Sequence, residues 1–84
     1  MRVERSFRGI SIRLARQYLI GLGGEVRDDE TVVGPDWTAT LSAERVAIGP
    51  SLELTEVTVV FDGPETTLED LVERFSRKAI RAGG

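Results

Sequence analysis

The sequence predicts an α+β two-layer sandwich, with elements in the order β-α-β-β-β-β-α and two helices on one face of an antiparallel sheet. Three observations predict it. Apolar residues recur at helical spacing in two stretches, one near each end of the chain. The middle is rich in β-branched residues that alternate with polar ones. Gly-Pro and Asp-Gly pairs cut that middle into pieces of strand length. Helices that each bury one stripe, beside a sheet that buries one face, satisfy one another as two layers. At 84 residues, a single domain over residues 1–84 is expected.

Residues 2–8 read as a strand, with Val3 and Phe7 on one side and Arg2, Glu4, Ser6 and Arg8 on the other. Arg5 falls on the apolar side, which places this strand at an edge or near a partner. Gly9 breaks the pattern and Ser11 is a suitable helix N-cap. Ile12, Ala15, Leu19 and Leu22 then recur at helical spacing, flanked by Leu14 and Tyr18, until Gly23 and Gly24 stop the helix. Residues 25–33 form a strand, or a hairpin turning at Asp28 and Asp29. Gly34, Pro35 and Asp36 make a turn. Trp37, Ala39, Leu41 and Ala43 alternate with Thr38, Thr40, Ser42 and Glu44, and Val46 and Ile48 form a separate short strand ending at Gly49 and Pro50. Residues 52–61 make the longest strand, with Val57, Val59 and Phe61 on one face. Asp62, Gly63 and Pro64 close the sheet region. Thr67 and Asp70 have capping-box spacing. The last helix buries Leu68, Leu71, Val72, Phe75, Ala79 and Ala82. Its acids come early and its bases late, in the order that the helix dipole favours.

Composition removes much chemistry. The chain has no cysteine and no histidine. There is therefore no thiolate, no imidazole base, no zinc site of the usual kind and no disulfide. No set of serine, lysine and carboxylate residues takes their place, so no catalytic residue is assigned and the protein is read as a non-enzyme that needs no cofactor. The net charge is −3. Residues 1–24 hold five arginines against one acid, whereas residues 25–61 hold eight acids against two arginines. This describes a two-toned surface rather than a nucleic-acid binder. No apolar run reaches the roughly 20 residues that cross a bilayer, and no signal-peptide pattern follows Met1, so no membrane is involved and a cytoplasmic location is expected.

Several constellations compete with plainer readings. Gly83 and Gly84 form a diglycine of the kind that ubiquitin-like proteins and sulfur carriers activate at the terminal carboxylate. The plainer reading is a helix cap, since the apolar face of the last helix persists to Ala82. Gly21, Gly23 and Gly24 follow a helix rather than a strand, which is the wrong context for a phosphate cradle. Asp28, Asp29 and Glu30 match no calcium-loop spacing, and no metal is expected there. Glu53 and Glu56 lack the context of an acid/base pair. Ser51, in the loop of Gly49 and Pro50, has no base to activate it. Arg13 and Arg16 on one helix, with Arg74, Arg77, Lys78 and Arg81 on the other, would merge into a basic interaction face if the helices pack side by side. Such a face would take an anion, an acidic protein or RNA. Stacking aromatics are scarce, and Tyr18 and Trp37 are expected to be partly buried, so a solvated helix surface is the plainer reading and nucleic acid is not expected.

Three blocks carry a family resemblance: the run from Val3 to Ile10, the run from Gly49 to Val57, and the run from Leu71 to Ala79. With them the chain resembles the MoaD-related C-terminal domain family, small prokaryotic domains found alone or beside a molybdopterin-synthase small-subunit-like protein. The resemblance implies a strand–helix–four-strand–helix layout. It also implies an association with molybdenum-cofactor or sulfur-carrier biology. It brings no catalytic residue onto this chain, and the element order departs from the ubiquitin-like fold of MoaD itself. The function expected is that of an accessory domain docking on a ubiquitin-like or MoaD-type protein, or on a second copy as a homodimer. Activation at the diglycine and anion or nucleic-acid binding on the arginine faces are the alternatives.

Overall fold

The computed structural model describes residues 1–83 and their side chains through Arg81. The expected burial of Ala82, and Gly84 altogether, lie outside the described residues. The order is β1 (Arg2–Arg8), α1 (Ile12–Gly21), β2 (Glu25–Asp28), β3 (Thr31–Val33), β4 (Thr38–Ala47), β5 (Glu53–Asp62) and α2 (Glu65–Gly83). All five strands pair antiparallel in the sheet order β1-β5-β4-β3-β2, and both helices pack against the sheet, giving the expected α+β sandwich.

Local chemistry explains most of the boundaries. Ser11 is extended, and its hydroxyl accepts the Leu14 N–H at 3.0 Å, which starts α1. The helix ends where Gly23 takes φ +101° and the Gly24 N–H returns to the Leu19 carbonyl at 2.9 Å, a left-handed exit open to glycine at little cost. β1 is an outer strand, as the position of Arg5 implied, and Arg5 is exposed. The hairpin of residues 25–33 is present, but Asp28 stays in β2 and its carboxylate accepts the Glu30 N–H at 2.8 Å, so the turn falls on Asp29 and Glu30.

Ala39 and Leu41 from β4 meet Val57, Val59 and Phe61 from β5, and Ala15, Leu19, Leu68 and Phe75 cover them from the helices. Phe75 ties the layers together. Its ring lies 5.2 Å from Phe7, 5.7 Å from Phe61 and 6.0 Å from Tyr18, all tilted or edge-on. Trp37 is buried at the β3–β4 turn, against Gly34, where an added Cβ would stand 2.0 Å from the indole. The other sheet face carries hydroxyls at its centre, with Ser6 and Thr58 hydrogen-bonded across strands at 3.0 Å.

Three expectations are corrected. Val46 does not begin a separate strand: β4 runs unbroken to Ala47, paired with β5 along its whole length. Ala43 continues the alternation of Trp37, Ala39 and Leu41 but is exposed: the pairing of β3 with β4 ends at Thr40, which leaves the outer side of Ala43 without a neighbouring strand among the described residues. Thr67 and Asp70 do not form a capping box. The helix starts earlier, at Glu65, the Thr67 hydroxyl donates to the Asp36 carboxylate at 2.6 Å, and Asp70 pairs with Arg74. A carboxylate from the distant β3–β4 turn wins the hydroxyl that the local cap would have used.

Candidate functional site

α1 spans about 15 Å and α2 about 28 Å, against about 33 Å for each of β4 and β5. β1 reaches β5 only to Glu56, and β3 reaches β4 only to Thr40. Beyond those points β4 and β5 continue together as a two-stranded arm, and the molecule measures 43 × 23 × 21 Å.

The arm is where exposed apolar side chains gather. Val46 sits directly across from Leu54, and Ile48 donates its N–H to the Leu52 carbonyl at 2.7 Å. Alternation therefore puts all four side chains on one face of the ribbon. Leu52 is 55% exposed, Ile48 42% and Leu54 36%, while Val46 is half-buried. Elsewhere the large exposed apolar residues are scattered: Met1, Ile20, Val26 and Ile80. Single residues of this kind are ordinary, whereas a cluster outside the core marks a contact surface. Glu44 and Glu56 face each other at the base of the patch, and Glu56 holds Arg8 at 2.9 Å. On the opposite face Arg45 and Glu53 pair at 3.6 Å. The arm thus offers an apolar centre with a charged rim, the general anatomy of a protein-binding patch.

The basic faces are only partly brought together. Arg74, Arg77, Lys78 and Arg81 line an open groove of about 470 Å³ against Gly21 and Leu22 at the end of α1. Arg74 is paired with Asp70 and Arg77 with Glu73, each one helical turn away. Arg13 and Arg16 do not join that groove. Arg13 is exposed near the start of α1, and Arg16 donates to the Asp29 carbonyl at 2.7 Å on the far flank. Gly83 belongs to α2. Among the described residues no group of three or more acids is close enough to hold a metal ion.

The apolar arm is the feature that reading the sequence missed. The available signal was the run of apolar residues on both sides of Gly49 and Pro50, whose even-numbered members Val46, Ile48, Leu52 and Leu54 share a face with Ser42 and Thr58 rather than with the helix-covered Leu41 and Val57. A protein-family model described as archaeal MoaD-like protein matches residues 3–84. No curated protein matches the chain.

Proposed function

The chain belongs to the archaeal MoaD-like protein family, and from that premise we propose that it is a non-enzymatic docking domain in MoaD-type, sulfur-carrier biology, presenting the β4–β5 arm to a small ubiquitin-like protein. One observation carries this reading: Val46, Ile48, Leu52 and Leu54 form an apolar patch outside the core that the rest of the described chain covers only in part. Contact with a partner would remove that patch from water. The missing cysteine and histidine agree with a role in binding rather than in catalysis.

The test is a titration of the isotope-labelled domain with the purified ubiquitin-like MoaD-type protein of the same genome, followed by NMR. Residues 46–54 are expected to shift first, and Leu52→Lys with Leu54→Lys is expected to weaken binding at least tenfold. Shifts confined to the groove of Arg74, Lys78 and Arg81, or no shifts at all, would overturn the proposal.

A second reading, activation at Gly83 and Gly84, draws on the family match and on the diglycine itself. Against it stands the extension of α2 through Gly83, since an activating enzyme needs an extended tail to thread its channel. Intact-mass analysis of the natively expressed protein separates the two readings, because only the second yields a terminal thiocarboxylate.

A further inference from the structure

The outer side of β4 carries a row of backbone groups without a strand beside them. The Leu41 N–H donates to the Glu30 carbonyl at 2.7 Å, which marks where β3 stops. Antiparallel strands send alternate residues to alternate sides. Odd-numbered residues of β4 therefore aim outward, and Ala43, Arg45 and Ala47 present their N–H and C=O groups to a notch that no strand fills among the described residues. The notch is flanked by β3 and β2, so it is two strands wide, and the arm is two strands wide as well.

We infer that this notch receives the arm of a second copy of the chain, the β4 edges pairing antiparallel about a two-fold axis at Val46. The inference rests on the arm being an interaction element, and it concerns the arm's edge rather than its apolar face. Three constraints fix the register. An antiparallel self-pairing has its two-fold perpendicular to the sheet, so it must centre on a residue. Centring on Glu44 or Arg45 sets that charge opposite its own copy, which is unfavourable. The Arg45 register also drives the partner's Gly49 and Pro50 into Leu41 and Thr40, and the Glu44 register drives them into Ala39 and Thr38, positions that the β2–β3 hairpin already occupies. Centring on Val46 puts the partner's Gly49 opposite Ala43, just clear of the Glu30 contact, and each step further out shortens the ladder.

In that register Arg45 exchanges backbone hydrogen bonds with the partner's Ala47, and Ala47 with the partner's Arg45. Val46 meets the partner's Val46 as a close, non-hydrogen-bonded pair, and Leu54, Val46, the partner's Val46 and the partner's Leu54 form one apolar stripe across four strands. A ladder this short buries less than the roughly 1,200 Å² of a standard interface, so the dimer depends on concentration.

The absence of native cysteine makes the register directly testable. Opposed residues in a non-hydrogen-bonded pair have Cα atoms about 4.5 Å apart, within the range a disulfide spans. Val46→Cys under mild copper–phenanthroline oxidation is expected to give at least tenfold more covalent dimer than Glu44→Cys, whose own copy would lie about 13 Å along the ladder. Sedimentation of the cysteine-free chain is expected to show dimer growing with concentration. Ala47→Pro removes an outward N–H without touching the β4–β5 ladder, so it is expected to keep the fold by circular dichroism and abolish the dimer. Equal cross-linking of the two cysteine variants, or a strict monomer up to about 1 mM, would overturn the inference. Partner binding that depends on Leu52 and Leu54 in a chain that never cross-links would overturn the second copy alone. Cross-linking at Val46 with no partner binding would overturn the docking function alone.

Discussion

Replacing Phe75 by Ala tests whether one ring holds the two layers together. Phe75 is fully buried and touches rings from β1, α1 and β5. Truncating a buried Phe costs about 3–5 kcal/mol, and the three ring contacts place this site near 4. A chain of 84 residues has a total stability of roughly 4–13 kcal/mol. The substitution therefore removes a third or more of it. With a urea dependence of about 1 kcal/mol/M, the midpoint falls by roughly 4 M. Phe75→Leu retains most of the volume but loses the ring pairs, and should cost about 1–2 kcal/mol. Urea titrations read by the emission of Trp37, the single tryptophan, and by far-ultraviolet circular dichroism supply both numbers and test two-state behaviour. A loss below about 1.5 kcal/mol for Phe75→Ala would refute the reasoning, because the ring would then be replaceable by local collapse of the core.

Two further outcomes follow from the packing of the core and the arm. Gly34→Ala drives a methyl into the Trp37 indole and is expected to destabilise by about 2 kcal/mol or more, whereas Gly21→Ala meets nothing within 4 Å at the end of α1 and is expected to stabilise by about 0.5–1 kcal/mol; thermal melts of the pair give opposite signs. Native-state hydrogen exchange should show the Val46 and Ile48 amides opening locally, at about 0–2 kcal/mol, while Ala39 and Val59 exchange only on global unfolding, and uniform protection along β4 would count against an independent arm.

The parts of the fold legible from sequence are those set by neighbours along the chain. Ser11 caps because its hydroxyl needs only the N–H three residues on. The period of Val57, Val59 and Phe61 puts them on one face, and all three are buried. Legibility failed where the deciding contact is distant. Ala43 has the same alternation as Leu41, but the β2–β3 hairpin reaches Leu41 through the Glu30 carbonyl and stops short of Ala43, so one is buried and the other exposed. Thr67 carries a local capping pattern, yet Asp36 captures it from across the sandwich. Arg13 and Arg16 share a helix with Gly21, but only its last residue lies beside the basic groove, and both arginines are away from it. The family likeness was visible in three blocks of sequence and agrees with the match over residues 3–84. It brought no site residue with it, and the apolar arm emerged only from the geometry.

The arm also bears on the rate at which the chain folds. β4 and β5 are joined by a few residues, so their hairpin closes a short loop and forms on the microsecond scale. β1 must find β5 across more than fifty positions, as the pairing of Arg5 with Val59 shows, and that closure carries a larger entropic cost before any contact repays it. The hairpin is therefore the natural nucleus, with β1 the last strand to arrive. A segment that projects from the finished molecule thus begins its assembly. Substitutions at Val57 or Leu41, in the covered half of that hairpin, slow folding, whereas those at Val3 or Phe7 mainly speed unfolding.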